Sequence, residues 1–221
     1  NGCHRAVIAV KISDIEAVRV MAIDSQPAEP FLARNGAVVL PPGGRTDVII
    51  DMPAKAPLPV LLHDGSSARP IARLTLSSEP PQRAAPLAAP VPLPSNGLPD
   101  RLDLRSAVRA ELALDGPDWH PPAQFNAGSA PAFQARTGRV VVLALINKAA
   151  GPRVVHLHGQ PFRLLDRLDD GWKPYWLDTL ALDAGQTQRI AFQAEQPGRF
   201  LMEGMATEWA APRLIRWYEI G

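Results

Sequence analysis

Arg153-Val-Val-His156-Leu-His158-Gly159-Gln160-Pro161-Phe162-Arg-Leu-Leu165 carries the only paired histidines in the chain. His156 and His158 are two residues apart, so on a strand their side chains share a face. Apolar neighbours surround them: Val154, Val155, Leu157, Phe162, Leu164 and Leu165. Two imidazoles on one face of a strand are a plausible half of a transition-metal site. They also suit a plainer role as hydrogen-bonded histidines at a domain edge, and spacing alone does not decide between the two.

Working outward, short β-branched runs separated by turn residues follow one another on both sides. Arg101–Arg105, Ala110–Leu114, Arg139–Asn147, Trp176–Leu182, Gln188–Phe192, Arg199–Met202 and Leu214–Ile220 read as strands of the same half as the histidines. A polar loop with Trp119, His120 and Asn126 interrupts them, and Trp172-Lys-Pro-Tyr175-Trp176 reads as an exposed aromatic loop. The first half reads the same way over Ala6–Ile12, Ala17–Ile23, Ala37–Leu40, Thr46–Asp51, Pro59–Leu62 and Ile71–Leu76. Asp24-Ser-Gln-Pro27, Pro41-Pro-Gly-Gly44 and Asp64-Gly-Ser66 mark turns between them. Strands at short, regular intervals predict an all-β chain of sandwich or Greek-key barrel domains.

Between the halves, prolines crowd residues 80–99, and so many missing donors exclude a central strand. The expected organisation is a domain over residues 1–79, an extended Pro-rich linker over 80–98 and a second domain over 99–221. Leu87, Val91 and Leu93 would let the linker lie along a surface. The formal charge of +1 argues against a nucleic-acid or anionic-membrane partner, and no apolar run is long enough for a transmembrane helix. Cys3, the single cysteine, excludes an intrachain disulfide and a cysteine-rich zinc site; it reads as a small buried hydrophobe. His4, His63 and His120 stand alone, as surface or loop residues do.

The halves also resemble each other. A shift of 142 positions lays Ile23-Asp24 on Leu165-Asp166, Ala37–Leu40 on Thr179–Leu182, Gly43 on Gly185 and Val48 on Ile190. Under it Asp14 falls on His156 and Glu16 on His158. The second copy has a stretch, about residues 100 to 142, ahead of the point where the first copy begins. The first domain is therefore expected to be incomplete, with an exposed edge, as part of a longer protein would be.

Val155-His156-Leu-His158-Gly-Gln-Pro-Phe162, Asp178-Thr-Leu180, Ala184-Gly-Gln-Thr187 and Gln196-Pro-Gly-Arg-Phe200 resemble the last cupredoxin domain of multicopper oxidases. Residues 1–52, with Ala22–Pro27 and Leu40–Arg45, look like that family's copper-free middle domain. The resemblance implies cupredoxin-like Greek-key sandwiches, copper as cofactor, oxidoreductase chemistry and export, to the periplasm in bacteria. It also implies a partner, an N-terminal cupredoxin domain or another chain, that would complete a three-copper cluster.

The same resemblance implies which residues should hold copper. His156 and His158 match two trinuclear-cluster ligands, but Glu203 and Met205 stand where two further histidines belong. At the type 1 site a histidine, cysteine, second histidine and axial methionine are expected; Arg153, Gly204, Trp209 and Leu214 occupy those positions. Arginine does not deprotonate to ligate a metal, and glycine has no thiolate. The expectation is a copper-free, non-catalytic exported module, with Arg153 and Trp209 either stacked in the vacated pocket or both turned to solvent. Residual metal binding by His156, His158 and Glu203 is the reading set against it. A further alternative is a copper oxidoreductase whose remaining sites lie on an absent domain or another chain.

Overall fold

The computed structural model describes residues 1–3, 6–15, 17–53, 55–80, 83, 85, 88–166, 171–208 and 210–221. The regular secondary structure is nearly all strand, and the chain divides into two compact units, Asn1–Ser95 and Asn96–Gly221. Among the described residues, no helix is long and apolar enough to cross a membrane.

The first unit contains β1 (Ile8–Ile12), β2 (Arg19–Ile23), β3 (Gln26–Leu32), β4 (Ala37–Leu40), β5 (Thr46–Ile49), β6 (Leu58–His63) and β7 (Ala68–Leu74). They form two sheets, β4-β1-β6-β7 and β3-β2-β5. Ile15, Val18, Val20, Ala33 and Leu58 meet between them in a small core, flanked by Ile12, Ile23, Phe31, Val38, Ile50 and Leu74. β3 escapes the sequence pattern because Pro27 and Pro30 break it. Prolines suit an edge, and β3 lies at one, pairing with β2 alone.

The second unit contains β8 (Val108–Ala113), β9 (Gln134–Ala135), β10 (Val140–Ile146), β11 (Arg153–Leu157), β12 (Phe162–Leu165), β13 (Trp172–Leu177), β14 (Thr179–Leu182), β15 (Thr187–Gln193), β16 (Gly198–Ala206) and β17 (Leu214–Ile220). Its sheets are β13-β12-β15-β10-β8 and β14-β11-β16-β17-β9. Val141, Leu143, Phe162, Ile190, Phe192, Val155, Met202 and Tyr218 are fully buried, so apolar burial is far more complete here. Phe133 and Phe200 stack on Tyr218, with centroids 4.7 and 5.4 Å away.

The internal repeat is a repeat of structure. β4 lies 142 residues before β14, strand for strand, and β2, β5 and β6 fall on β12, β15 and β16. The neighbours agree as well: β1 pairs with β4 and β6 as β11 pairs with β14 and β16. Among the described residues of the first unit, β8, β9 and β10 have no counterpart. Glu16, one of the aligned residues, lies outside the described residues.

Several local expectations are corrected. Arg101–Arg105 forms no strand: the Asp103 carboxylate accepts from the Arg105 N–H at 3.1 Å, an Asx turn, while Leu102 and Leu104 pack onto the core of the larger domain. Trp176–Leu182 is two strands, β13 and β14, which belong to different sheets, so the chain changes sheet at Asp178. The supposed aromatic loop is β13, with Trp176 buried and the Arg163 guanidinium 4.7 Å from its ring centroid and 5.7 Å from that of Trp172. Burial there lowers the Arg163 pKa, against the attraction of Asp100. Cys3 is exposed, not buried. Val91 and Leu93 are exposed too, so these linker residues bury little; Leu87 and His4 lie outside the described residues.

Candidate functional site

β11 sits between β14 and β16, and its alternation fixes what each side chain meets. Val155 and Leu157 point into the core and are buried. His156, and His158 just past the strand end, take the other face, with ring centroids 4.5 Å apart and planes nearly perpendicular. The shared face read from their spacing is what the structure holds.

Each ring is held by its own acidic partner. His156 Nδ1 lies 2.9 Å from Thr179 Oγ1 and 3.4 Å from Asp178 Oδ1, and the Thr179 hydroxyl donates to Asp178 at 2.6 Å. With its proton committed to Asp178, Thr179 Oγ1 is an acceptor, which assigns the His156 proton to Nδ1. These partners come from the point where β13 passes into β14, so the sheet change also orients the histidine.

His158 Nε2 lies 3.0 Å from Glu203 Oε1 on β16, where Glu203 is the register partner of His156. The structure therefore brings His156, His158 and Glu203 together. Glu203 is not a spare ligand, however: Arg213 reaches its Oε2 at 3.3 Å. A guanidinium already neutralising that carboxylate opposes a cation at the same place. Among the described residues, no group of three or more His, Cys, Asp and Glu side chains is arranged to hold a metal ion. The backbone under His158 is pinned by Tyr218, whose hydroxyl donates to the His158 carbonyl at 2.8 Å; burial raises the pKa of that phenol.

On the same two strands, Arg153 lies three residues before His156 on β11 and Gly204 lies next to Glu203 on β16. Arg153 is largely buried; its Nη1 lies 3.7 Å from the exposed Glu208 Oε1 and makes no hydrogen bond. Trp209 lies outside the described residues, so its stacking on Arg153 is not described. Gly204 instead faces Trp119. A Cβ built on Gly204 would lie 3.2 and 3.3 Å from two carbons of the Trp119 ring, tighter than ordinary van der Waals contact. The indole is 5 % exposed, and its Nε1 donates to the Ala113 carbonyl at 2.8 Å. The next residue, His120, is bridged to Ile215 of β17 by two backbone hydrogen bonds of 3.1 and 2.8 Å. This bridge clamps the Trp119 loop beneath β16. His63, by contrast, is exposed at the end of β6.

Trp119 was the residue hidden from sequence reasoning, since it sits in a loop of polar character with no period. The available signal was Gly204 itself: a glycine within a strand marks a close approach by another group.

The chain matches the multicopper oxidase family profile over residues 97–219. Among solved structures it is similar to Lac15 from a marine microbial metagenome, at 22 % identity and a TM-score of 0.78, covering 96 % of this chain and 52 % of that one. A multi-copper oxidase from Pseudomonas thermotolerans gives 24 % identity and a TM-score of 0.76, covering 97 % of this chain and 52 % of that one. McoA from the hyperthermophile Aquifex aeolicus gives 14 % identity and a TM-score of 0.72, covering 98 % and 52 %. The chain thus spans about half the length of the solved proteins it matches. No curated protein sequence matches it.

Proposed function

The chain belongs to the multicopper oxidase family, and from that premise we propose that it is a copper-free member: an exported, non-catalytic interaction module. The observation that carries this reading is Gly204 packed against Trp119. The family resemblance assigns position 204 to the thiolate of a type 1 copper site. Here the position has no side chain, and an indole lies 3.2 Å from where a Cβ would begin. Arg153 and Leu214, at two other positions of that site, offer no metal donor. The residues present do not fit a type 1 copper, so no electron-transfer step is assigned to them.

The histidine pair supports the same reading. His158 Nε2 is held by Glu203 and that carboxylate is neutralised by Arg213, so these groups hold one another rather than a shared cation. A single strand of histidines without further ligands is a poor site for a metal that prefers three or four. What remains is a well-packed sandwich with its surface open to partners.

Two tests follow. Incubated with copper(II) and a phenolic or aromatic diamine substrate, the whole chain is expected to show no oxidation above the free-metal control. Oxidation that scales with protein concentration would instead favour a copper oxidoreductase completed by other polypeptide. Separately, Gly204→Cys is expected to destabilise the larger unit by about 1–3 kcal/mol through overpacking and to give no blue copper–thiolate absorbance on copper loading. A blue, equally stable variant would overturn the reading.

A further inference from the structure

The sandwich of the second unit leaves a gap where its two sheets end. β8 is the edge strand of one sheet and β9 of the other, and β9 is only two residues long. A cavity of about 560 Å³ lies there, lined by the apolar side chains of Val108 and Ala135 and by Gln134, Arg136, Arg139 and Glu219. That volume falls within the roughly 300–1,000 Å³ of small-molecule sites. The cavity shares no lining residue with the histidine pair or with the packing at Gly204.

The backbone brings the two arginines together. The Arg139 N–H donates to the Arg136 carbonyl at 3.1 Å and closes a turn, in which Gly138, at φ +81°, takes the position where a type II turn needs a positive φ. Such a turn holds its first and last Cα atoms within about 7 Å. The turn is itself pinned. The Thr137 N–H donates to the Gly221 carbonyl at 2.8 Å, the Gly138 N–H to the Ala194 carbonyl at 2.6 Å, and the Ala194 N–H to the Arg139 carbonyl at 2.8 Å. Two cationic side chains therefore spring from one fixed frame, which lowers the ordering cost of binding.

Neither arginine is neutralised within the protein. Among the described residues the Arg136 guanidinium makes no hydrogen bond or ion pair, and that of Arg139 donates only to the Ser106 carbonyl. Glu219, the carboxylate side chain at the cavity, already accepts from Gln134 at 2.8 Å and from Arg199 at 3.3 Å. Guanidinium forks match the two oxygens of a carboxylate. Beside them, Val108 and Ala135 offer a surface that an apolar group can cover.

We propose that this cavity is a binding site for a small organic carboxylate, with Arg136 and Arg139 clamping the carboxylate while Val108 and Ala135 meet its apolar body. The charge of the head fixes the orientation, and the apolar body distinguishes the ligand from an inorganic anion.

The test is a calorimetric titration of naphthoate into the whole chain, carrying two added glycines after Gly221 so that no terminal carboxylate stands at the cavity. One equivalent is expected to bind with a Kd below about 1 mM. The neutral analogue naphthalenemethanol and, separately, inorganic phosphate are each expected to bind at least about tenfold more weakly. Arg136→Ala and, separately, Arg139→Ala are each expected to weaken naphthoate binding about tenfold or more, as loss of a charge-assisted hydrogen bond does. Arg73→Ala, in the first unit, should leave it unchanged. Hydrogen exchange with naphthoate present should slow at residues 134–139. Absence of saturable binding, equal affinity for naphthalenemethanol, or protection confined to other strands would overturn the proposal. So would unchanged affinity in Arg136→Ala, whose removed guanidinium supports no contact within the protein.

Discussion

Trp119→Ala is expected to lower the stability of the larger unit by about 3–5 kcal/mol, the range for deleting a large buried aromatic. The indole is 5 % exposed and fills the space under Gly204. Its loss also leaves the Ala113 carbonyl without the indole donor. The backbone bridge between His120 and Ile215 holds the loop in place, so collapse into the cavity is restricted and the cost stays high. A denaturant titration followed by tryptophan fluorescence measures it. All five tryptophans, at 119, 172, 176, 209 and 217, belong to the second unit, so that signal reads the larger unit separately. Gly204→Ala provides the coupling. Alone it should cost about 1–3 kcal/mol by overpacking; in the Trp119→Ala background it should cost less, because the ring it meets is gone.

Asn147→Ala is expected to cost about 2–4 kcal/mol, through buried polar groups left unpaired. Asn147 is 1 % exposed at the end of β10. Its Nδ2 shares two hydrogens among the carbonyls of Gly151 at 3.0 Å, Leu182 at 3.1 Å and Asp183 at 2.9 Å, and its Oδ1 accepts from the Ala149 N–H at 3.1 Å. One side chain therefore ties β10 to the turn that leads into β11 and to the end of β14. Removing it strands acceptors that water reaches poorly. Hydrogen exchange should accelerate at residues 147–153 and at the end of β14 before it does in β16 or β17. A loss below about 1 kcal/mol would mean that water or a backbone shift replaces these bonds.

Much of this was legible in the sequence, for physical reasons that differ by element. β10 is long, β-branched and unbroken, so its burial is written in its composition. His-Leu-His on β11 carried both the strand period and the family resemblance. The repeat at 142 residues exposed the unequal halves, because equivalent strands keep equivalent apolar residues. Other features depend on tertiary contact and leave little local trace. The sheet change at Asp178 interrupts an otherwise continuous apolar run, and β3 hides behind Pro27 and Pro30. The sequence groups Glu203 with His156 and His158 as a third ligand, whereas its closeness to Arg213 follows from strand pairing of β16 and the approach to β17. The stacking of Arg153 on Trp209 lies outside the described residues; Trp119 fills the space at Gly204, and packing alone reveals it.

The central claim is that this family member holds no copper. Calorimetric titration of copper(II) into the whole 221-residue chain tests it most directly. The expected result is no stoichiometric binding isotherm and no blue absorbance. One equivalent of copper bound with submicromolar affinity, and lost in His156→Ala or His158→Ala, would contradict it.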